Sequence, residues 1–152
     1  MSRIERSALA PHSAARLYAL VNDVAAYPRF LPWCEAAEVL EHTSTRMRAS
    51  IALRRGPVRA RFSTRNELTP DAAIRMQLED GPFSRLEGEW RFEPLGEAAC
   101  RVSLRLDFDF DSPLLAATLG PVFNGIADTL VDTFVQRARQ LQAAPTAPGG
   151  SR

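Results

Sequence analysis

A long apolar stripe near the C-terminal end sets what the rest of the chain must provide. Leu119, Phe123, Ile126, Leu130, Phe134, Ala138 and Leu141 follow at steps of 4, 3, 4, 4, 4 and 3, close to the helical period. Val122, Val131 and Val135 widen the stripe, and Asn124, Asp128, Asp132, Gln136 and Gln140 line the opposite side. The pattern predicts a helix with one broad apolar face. Asp111-Ser112-Pro113 offers an N-cap followed by the proline favoured at the first helical position. Gly120-Pro121 predicts a kink or restart, because proline loses a backbone hydrogen bond and crowds the preceding turn. From Pro121 to Leu141 the helix would run about 31 Å at ~1.5 Å per residue. A stripe that long demands a large apolar partner.

The partner is legible upstream. Turn signals at Arg55-Gly56-Pro57, Thr69-Pro70-Asp71, Asp80-Gly81-Pro82 and Leu95-Gly96-Glu97 punctuate the middle of the chain. Between them the residues alternate. Met47, Ala49, Ile51 and Leu53 share one face, as do Val58, Ala60 and Phe62. Ile74, Met76 and Leu78 repeat the pattern, then Leu86, Gly88, Trp90 and Phe92. The clearest run is Cys100, Val102, Leu104, Leu106, Phe108 and Phe110. Alternation predicts strands with one apolar face, and the short connections predict an antiparallel meander. Arg3 to Leu9 reads as a weak strand, and Pro11-His12-Ser13 as the cap of a short helix containing Leu17, Leu20 and Val21. Residues 27–34, YPRFLPWC, hold two prolines four apart and read as a short inward-packed turn. The fold class is α+β: a curved antiparallel sheet wrapped around a long C-terminal helix, with two short helices after the first strand. Residues 1–142 form one domain, and residues 143–152, AAPTAPGGSR, form a disordered tail.

Composition narrows the function. The 152 residues suit one domain with a real core, and a net charge of +1 gives no global attraction to nucleic acid, DNA included, or to membrane. All 19 basic residues are arginine. Cys34 and Cys100 lack CxxC spacing and read as reduced, buried thiols. The N-terminus lacks a signal-peptide core, and no run approaches a membrane span. The expected location is the cytoplasm, with peripheral membrane contact still open.

No catalytic constellation is visible. His12 and His42 stand beside no nucleophile signature and read as surface or capping residues. Asp107, Asp109 and Asp111 imitate the start of a calcium loop, but position 6 is Ser112 and position 12 is Thr118. They read as the wet face of a strand. Cys34 has no paired base. The chain reads as a non-enzyme without metal or required cofactor.

Several separated segments in order resemble the coenzyme Q-binding protein and RatA toxin family of the START-like helix-grip superfamily. They are YPRFLPWC at residues 27–34, LVNDV at 20–24, FSTRN at 62–66, DGPF at 80–83, LEGEWRF at 86–92, LDF at 106–108 and FVQRA at 134–138. The likeness covers residues 3–141. It implies a helix-grip fold that holds an apolar ligand between sheet and helix. It implies either ubiquinone binding in support of respiration or a RatA-like toxin acting on the large ribosomal subunit, with a small antitoxin partner. A superfamily cyclase would need an acid or base inside, and the predicted inward set has none.

Two candidate sites follow. The first is an interior cavity lined by Phe62, Met76, Leu86, Gly88, Trp90, Phe92, Phe108, Phe110, Val122, Phe123, Ile126 and Leu130. The same residues would also build an ordinary core. Inward Gly88 and the helix glycines Gly120 and Gly125 point to space. Its mouth would be Tyr27, Pro28, Phe30, Leu31, Pro32 and Trp33, with Pro82 and Phe83 a second lip and Gly120-Pro121 bending the wall toward it. The occupant implied is ubiquinone or another isoprenoid lipid. The second site is a basic flank of Arg46, Arg48, Arg54, Arg55, Arg59, Arg61 and Arg65, with no acid among residues 46–65. It reads either as a solvated face of cross-strand ion pairs or as a surface for phosphates of RNA or lipid headgroups.

Overall fold

The computed structural model describes residues 2–143, without the Ala143 side chain; the expected tail from residue 144 onward lies outside them. Seven strands form one antiparallel sheet in the order β1-β7-β6-β5-β4-β3-β2. They are β1 (Ser2–Ala10), β2 (Cys34–His42), β3 (Arg46–Arg55), β4 (Val58–Thr69), β5 (Ala73–Asp80), β6 (Phe83–Pro94) and β7 (Cys100–Phe110). The first strand pairs with the last, Ser2 opposite Phe108 and Ala10 opposite Cys100. The chain then crosses to the far edge through α1 (Ala14–Asn22) and a 3-10 helix (Val24–Arg29) before starting β2. The Ser13 hydroxyl caps α1 by accepting the Arg16 amide at 3.1 Å. The alternation read from Arg46 onward misses β2, because register shifts between Cys34 and Ala36 and between Val39 and Glu41 break its period.

Register shifts also occur between Ser63 and Thr64 and between Phe83 and Arg85. Such bulges bend a strand and increase its twist, which lets this sheet curl. Gly56 has φ +60 at the first position of the two-residue loop joining β3 to β4, where most side chains are strained. Two helices follow the sheet, α2 (Pro113–Thr118) and α3 (Gly120–Ala143). The Ser112 hydroxyl caps α2, and the chain restarts at Gly120 as the glycine-proline pair predicts.

The inner face of α3 buries Phe123, Ile126, Ala127, Val131, Phe134, Val135 and Ala138, and Leu119 just before it is buried too. Asn124, Asp128, Asp132, Gln136 and Gln140 are exposed, as the periodicity requires. Leu141 is not part of the stripe: it is 45% exposed, since the buried face ends at Ala138. An ion pair from Arg6 on β1 to Asp128 ties the helix to the sheet edge. Among the described residues no helix is long and apolar enough to cross a membrane.

Candidate functional site

The concave face of the sheet and α3 enclose an apolar cavity of about 100 Å3. Phe62, Met76, Leu86 and Trp90 line it from the strands; Phe123, Ile126 and Leu130 line it from the helix. Tyr27 and Trp33 reach it from the segment before β2. Seven of the twelve predicted lining residues are therefore brought together, with two of the predicted mouth residues. Ala49, Ile51, Leu53, Leu104 and Leu106 complete the strand walls, and Val24 and Ala127 join them. Their parity within the alternating strands already marked the strand residues as inward.

The other predicted lining residues pack elsewhere. Gly88 does not open space, because a Cβ there would lie 2.5 Å from Leu106 Cδ2 and 3.0 Å from Met76 Cε. Those side chains fill what the glycine leaves. Gly125 is exposed on the outer side of α3, and a Cβ at Gly120 would touch the Phe110 ring at 3.6 Å. Neither thins the cavity wall. Phe108 and Phe110 close the β7 end against Phe123, with centroids at 4.8 and 6.3 Å. Phe92 stacks beside Trp90 and under Tyr18. Val122 is half-buried outside the lining.

The predicted mouth divides. Leu31 is buried, Pro28 and Pro32 are exposed, and Phe30 packs on Phe134 at 5.5 Å beneath the Arg137 guanidinium. Tyr27 also packs on Phe134, and its hydroxyl donates to the Val21 carbonyl. Phe83 stacks on Phe110 at 5.0 Å, with half-buried Pro82 beside it. Gly120-Pro121 therefore lies against Phe110, not against residues 27–34, which pack on Phe134 about four helical turns further along α3.

Two polar lining residues were missed: Thr64 and Asn66, both buried. They continue the parity of Val58, Ala60 and Phe62, so the alternation alone could have placed them inward. Among the described lining residues there is no carboxylate or imidazole. Tyr27 is the one titratable lining group, and burial drives its phenol far above the ordinary range. Burial likewise pushes the Cys34 thiol up to about 11, and both cysteines are free and buried. His12 is not a surface residue; it is 4% exposed, and burial and then Arg16 and Arg139 hold its pKa down. Its Nε2 has no hydrogen-bond partner among the described residues, and the cap of α1 is Ser13. No described group of three histidine, cysteine or acidic residues is placed to hold a metal ion.

The open face of the sheet carries the second site. Arg48 lies directly opposite Arg65 across β3 and β4, and Arg54 opposite Arg59. These are like pairs, whereas Arg46 in the same register stands opposite Glu67. Glu79 takes Arg48, with Nη2 to Oε2 at 2.7 Å, from two strands away. Glu35 takes Arg54 at 3.4 Å and Arg59 at 3.8 Å. Arg61 donates to Ser50 at 3.4 Å. Arg46, Arg55, Arg61 and Arg65 have no carboxylate in ion-pair contact among the described residues. On the other half of the face Arg3, Arg75, Arg85, Arg91, Arg101 and Arg105 each sit against a carboxylate, Glu89 serving Arg75, Arg91 and Arg105. Asp107, read as wet, is covered by Arg3 and Arg105 and is only 2% exposed.

A family model for polyketide cyclase / dehydrase and lipid transport proteins matches residues 10–135. The chain belongs to this START-like family. Within the family it is 53% identical over 140 residues to a protein named ribosome association toxin RatA from Pseudomonas aeruginosa, covering 92% of this chain and 97% of that one. It is 25% identical to the mitochondrial coenzyme Q-binding protein COQ10 of Drosophila melanogaster, over 91% of this chain and 59% of that one. An 18 kDa protein of Caulobacter crescentus, solved in solution, superposes with a TM-score of 0.74 at 34% identity, over 95% of this chain and 100% of that one. The Zhui aromatase/cyclase of a streptomycete superposes at 0.83 with 19% identity, over 99% of each chain, a likeness of fold.

Proposed function

We propose that this chain associates with the ribosome, through the arginine face of β3 and β4, without catalysing a reaction. The observation that supports the reading is the register pairing of like charges, Arg48 opposite Arg65 and Arg54 opposite Arg59, with Arg55 and Arg61 in ion-pair contact with no carboxylate among the described residues. Like charges directly opposite destabilise a sheet, so the arrangement favours a phosphate-rich partner. The 53% identity to a protein named for ribosome association supports the same reading. The large subunit is the proposed target, and a small antitoxin the proposed regulator. Co-sedimentation with purified ribosomes across a salt series tests it. Binding at low salt should fall steeply as salt rises. Absence of binding even at low salt would overturn the proposal.

The cavity favours a second, compatible reading, the binding of a neutral apolar ligand such as ubiquinone or another isoprenoid lipid. The supporting observation is the apolar enclosure between Trp90 and Ile126, together with the likeness to COQ10. At about 100 Å3 the space is below the ~300–1,000 Å3 of typical small-molecule sites. A ring fits this scale, and a prenyl chain requires the sheet and helix to part. Native mass spectrometry of freshly purified protein tests it. Only unliganded mass, with or without added quinone, would refute the reading.

A further inference from the structure

Asn66 faces the cavity from the middle of β4 and is 6% exposed. Its Oδ1 is buried and accepts no hydrogen bond from any described residue. Across the sheet it stands in a row of Met47, Asn66, Met76, Gly88 and Leu106, where it is the only polar side chain. A buried amide oxygen without a donor is costly, and a leucine would pack there without that cost. We propose that Asn66 is the anchor of the cavity, and that the cavity takes a neutral single-ring molecule bearing a hydroxyl, of the phenol class. The inference rests on the apolar-ligand reading of the cavity and narrows it to a ring that carries a hydroxyl, such as a reduced quinol, and away from a quinone, whose oxygens only accept.

The orphaned atom is an acceptor, so its ligand must donate. A phenol O–H meets that need directly; an ether or a carbonyl would meet only the amide NH2, with the side chain turned over. The absence of a carboxylate, imidazole or cation from the described lining selects a neutral ligand. Size selects one ring: roughly 150 Å3 of apolar cavity admits benzene in an engineered protein. This cavity, at about 100 Å3, needs a modest widening. Half-buried Met76, flexible and placed directly opposite Asn66, can supply it. Thr64 lies two residues along the same strand face and lines the same space.

The test compares phenol with benzene on the full chain, by calorimetry and by amide NMR. A cavity without a polar partner binds benzene and rejects phenol, because an unpaired hydroxyl pays its desolvation. Wild-type protein should bind phenol at least as tightly as benzene, and phenol should shift the Asn66 side-chain amide signals well beyond the ring-current shift that benzene gives. Asn66→Leu should weaken phenol tenfold or more while keeping benzene within threefold. Benzene binding with rejection of phenol by wild type would overturn the anchor and leave the apolar-ligand reading standing. Retention of phenol by Asn66→Leu would also overturn it. Binding of neither ring would remove the inference, while lipid detected by mass spectrometry would still support the wider reading. If the variant does not fold, the wild-type comparison and the Asn66 amide signals decide alone.

Discussion

Met76 and Gly88 stand opposite each other on β5 and β6, and the Met76 methyl lies 3.0 Å from where a Gly88 Cβ would be. Arg105 O, at 2.7 Å from the same point, is backbone and cannot swing aside. Gly88→Ala should therefore destabilise the protein by about 1–3 kcal/mol, the usual cost of overpacking. Urea unfolding measures it. A variant as stable as wild type would mean that β6 and β7 can separate there at no cost.

On the open face, replacing Arg61 and Arg65 together by alanine should weaken ribosome binding and flatten its salt dependence. Each lost phosphate contact removes roughly 0.7–0.9 from the slope of log affinity against log salt, so the pair should remove about 1.4–1.8. Arg85→Ala should leave the slope unchanged, because Glu87 at 2.6 Å already takes that charge. Equal slopes for all three proteins would place the contact elsewhere.

Phe134 joins the helix to residues 27–34. It is fully buried, with ring centroids 5.4 Å from Tyr27, 5.5 Å from Phe30 and 5.5 Å from Trp90. Phe134→Ala should cost about 3–5 kcal/mol. Hydrogen exchange should quicken first at Leu31 and Cys34, whose amides hydrogen-bond within this segment. Uniform loss of protection across the sheet would show instead that the segment has no separate stability.

Arg3 Nε donates to Asp107 Oδ1 at 2.6 Å and holds the Asp107 carboxyl below its usual range, with Arg105 and Arg85 adding to the effect. A carboxylate with a lowered folded pKa stabilises above its unfolded value of ~3.9, and that stability is lost as pH falls through the folded value. Arg3→Ala raises the folded value, so acid unfolding followed by circular dichroism should shift to higher pH. An unchanged midpoint would assign the effect to Arg105.

With its thiol pushed up to about 11, Cys34 carries about one thiolate in a thousand at pH 8. Iodoacetamide should label it slowly at that pH in the native protein and rapidly in urea. Fast native labelling would show that the segment opens to solvent.

The terminal helix, its restart at Gly120, the antiparallel strands and the inward sets on β3 to β7 were all legible in the chain, because periods of 3.6 and 2 are local properties. The same parity put Thr64 and Asn66 inside, although their polarity led sequence reading past them. Strand β2 was not legible, since its bulges erase the local period.

Closure, by contrast, is a matter of register. Residues far apart in sequence decide that Leu106 and Met76 fill the gap at Gly88 and that Phe108 and Phe110 plug one end against Phe123. Charge follows the same division. The run of arginines was plain in the sequence, but only the bulge between Ser63 and Thr64 and the curl of the sheet bring Glu79 to Arg48 while leaving Arg61 and Arg65 without a carboxylate in contact. Local periodicity determines which face a side chain takes. Only the tertiary pairing decides what stands opposite it, because that depends on the whole sheet at once.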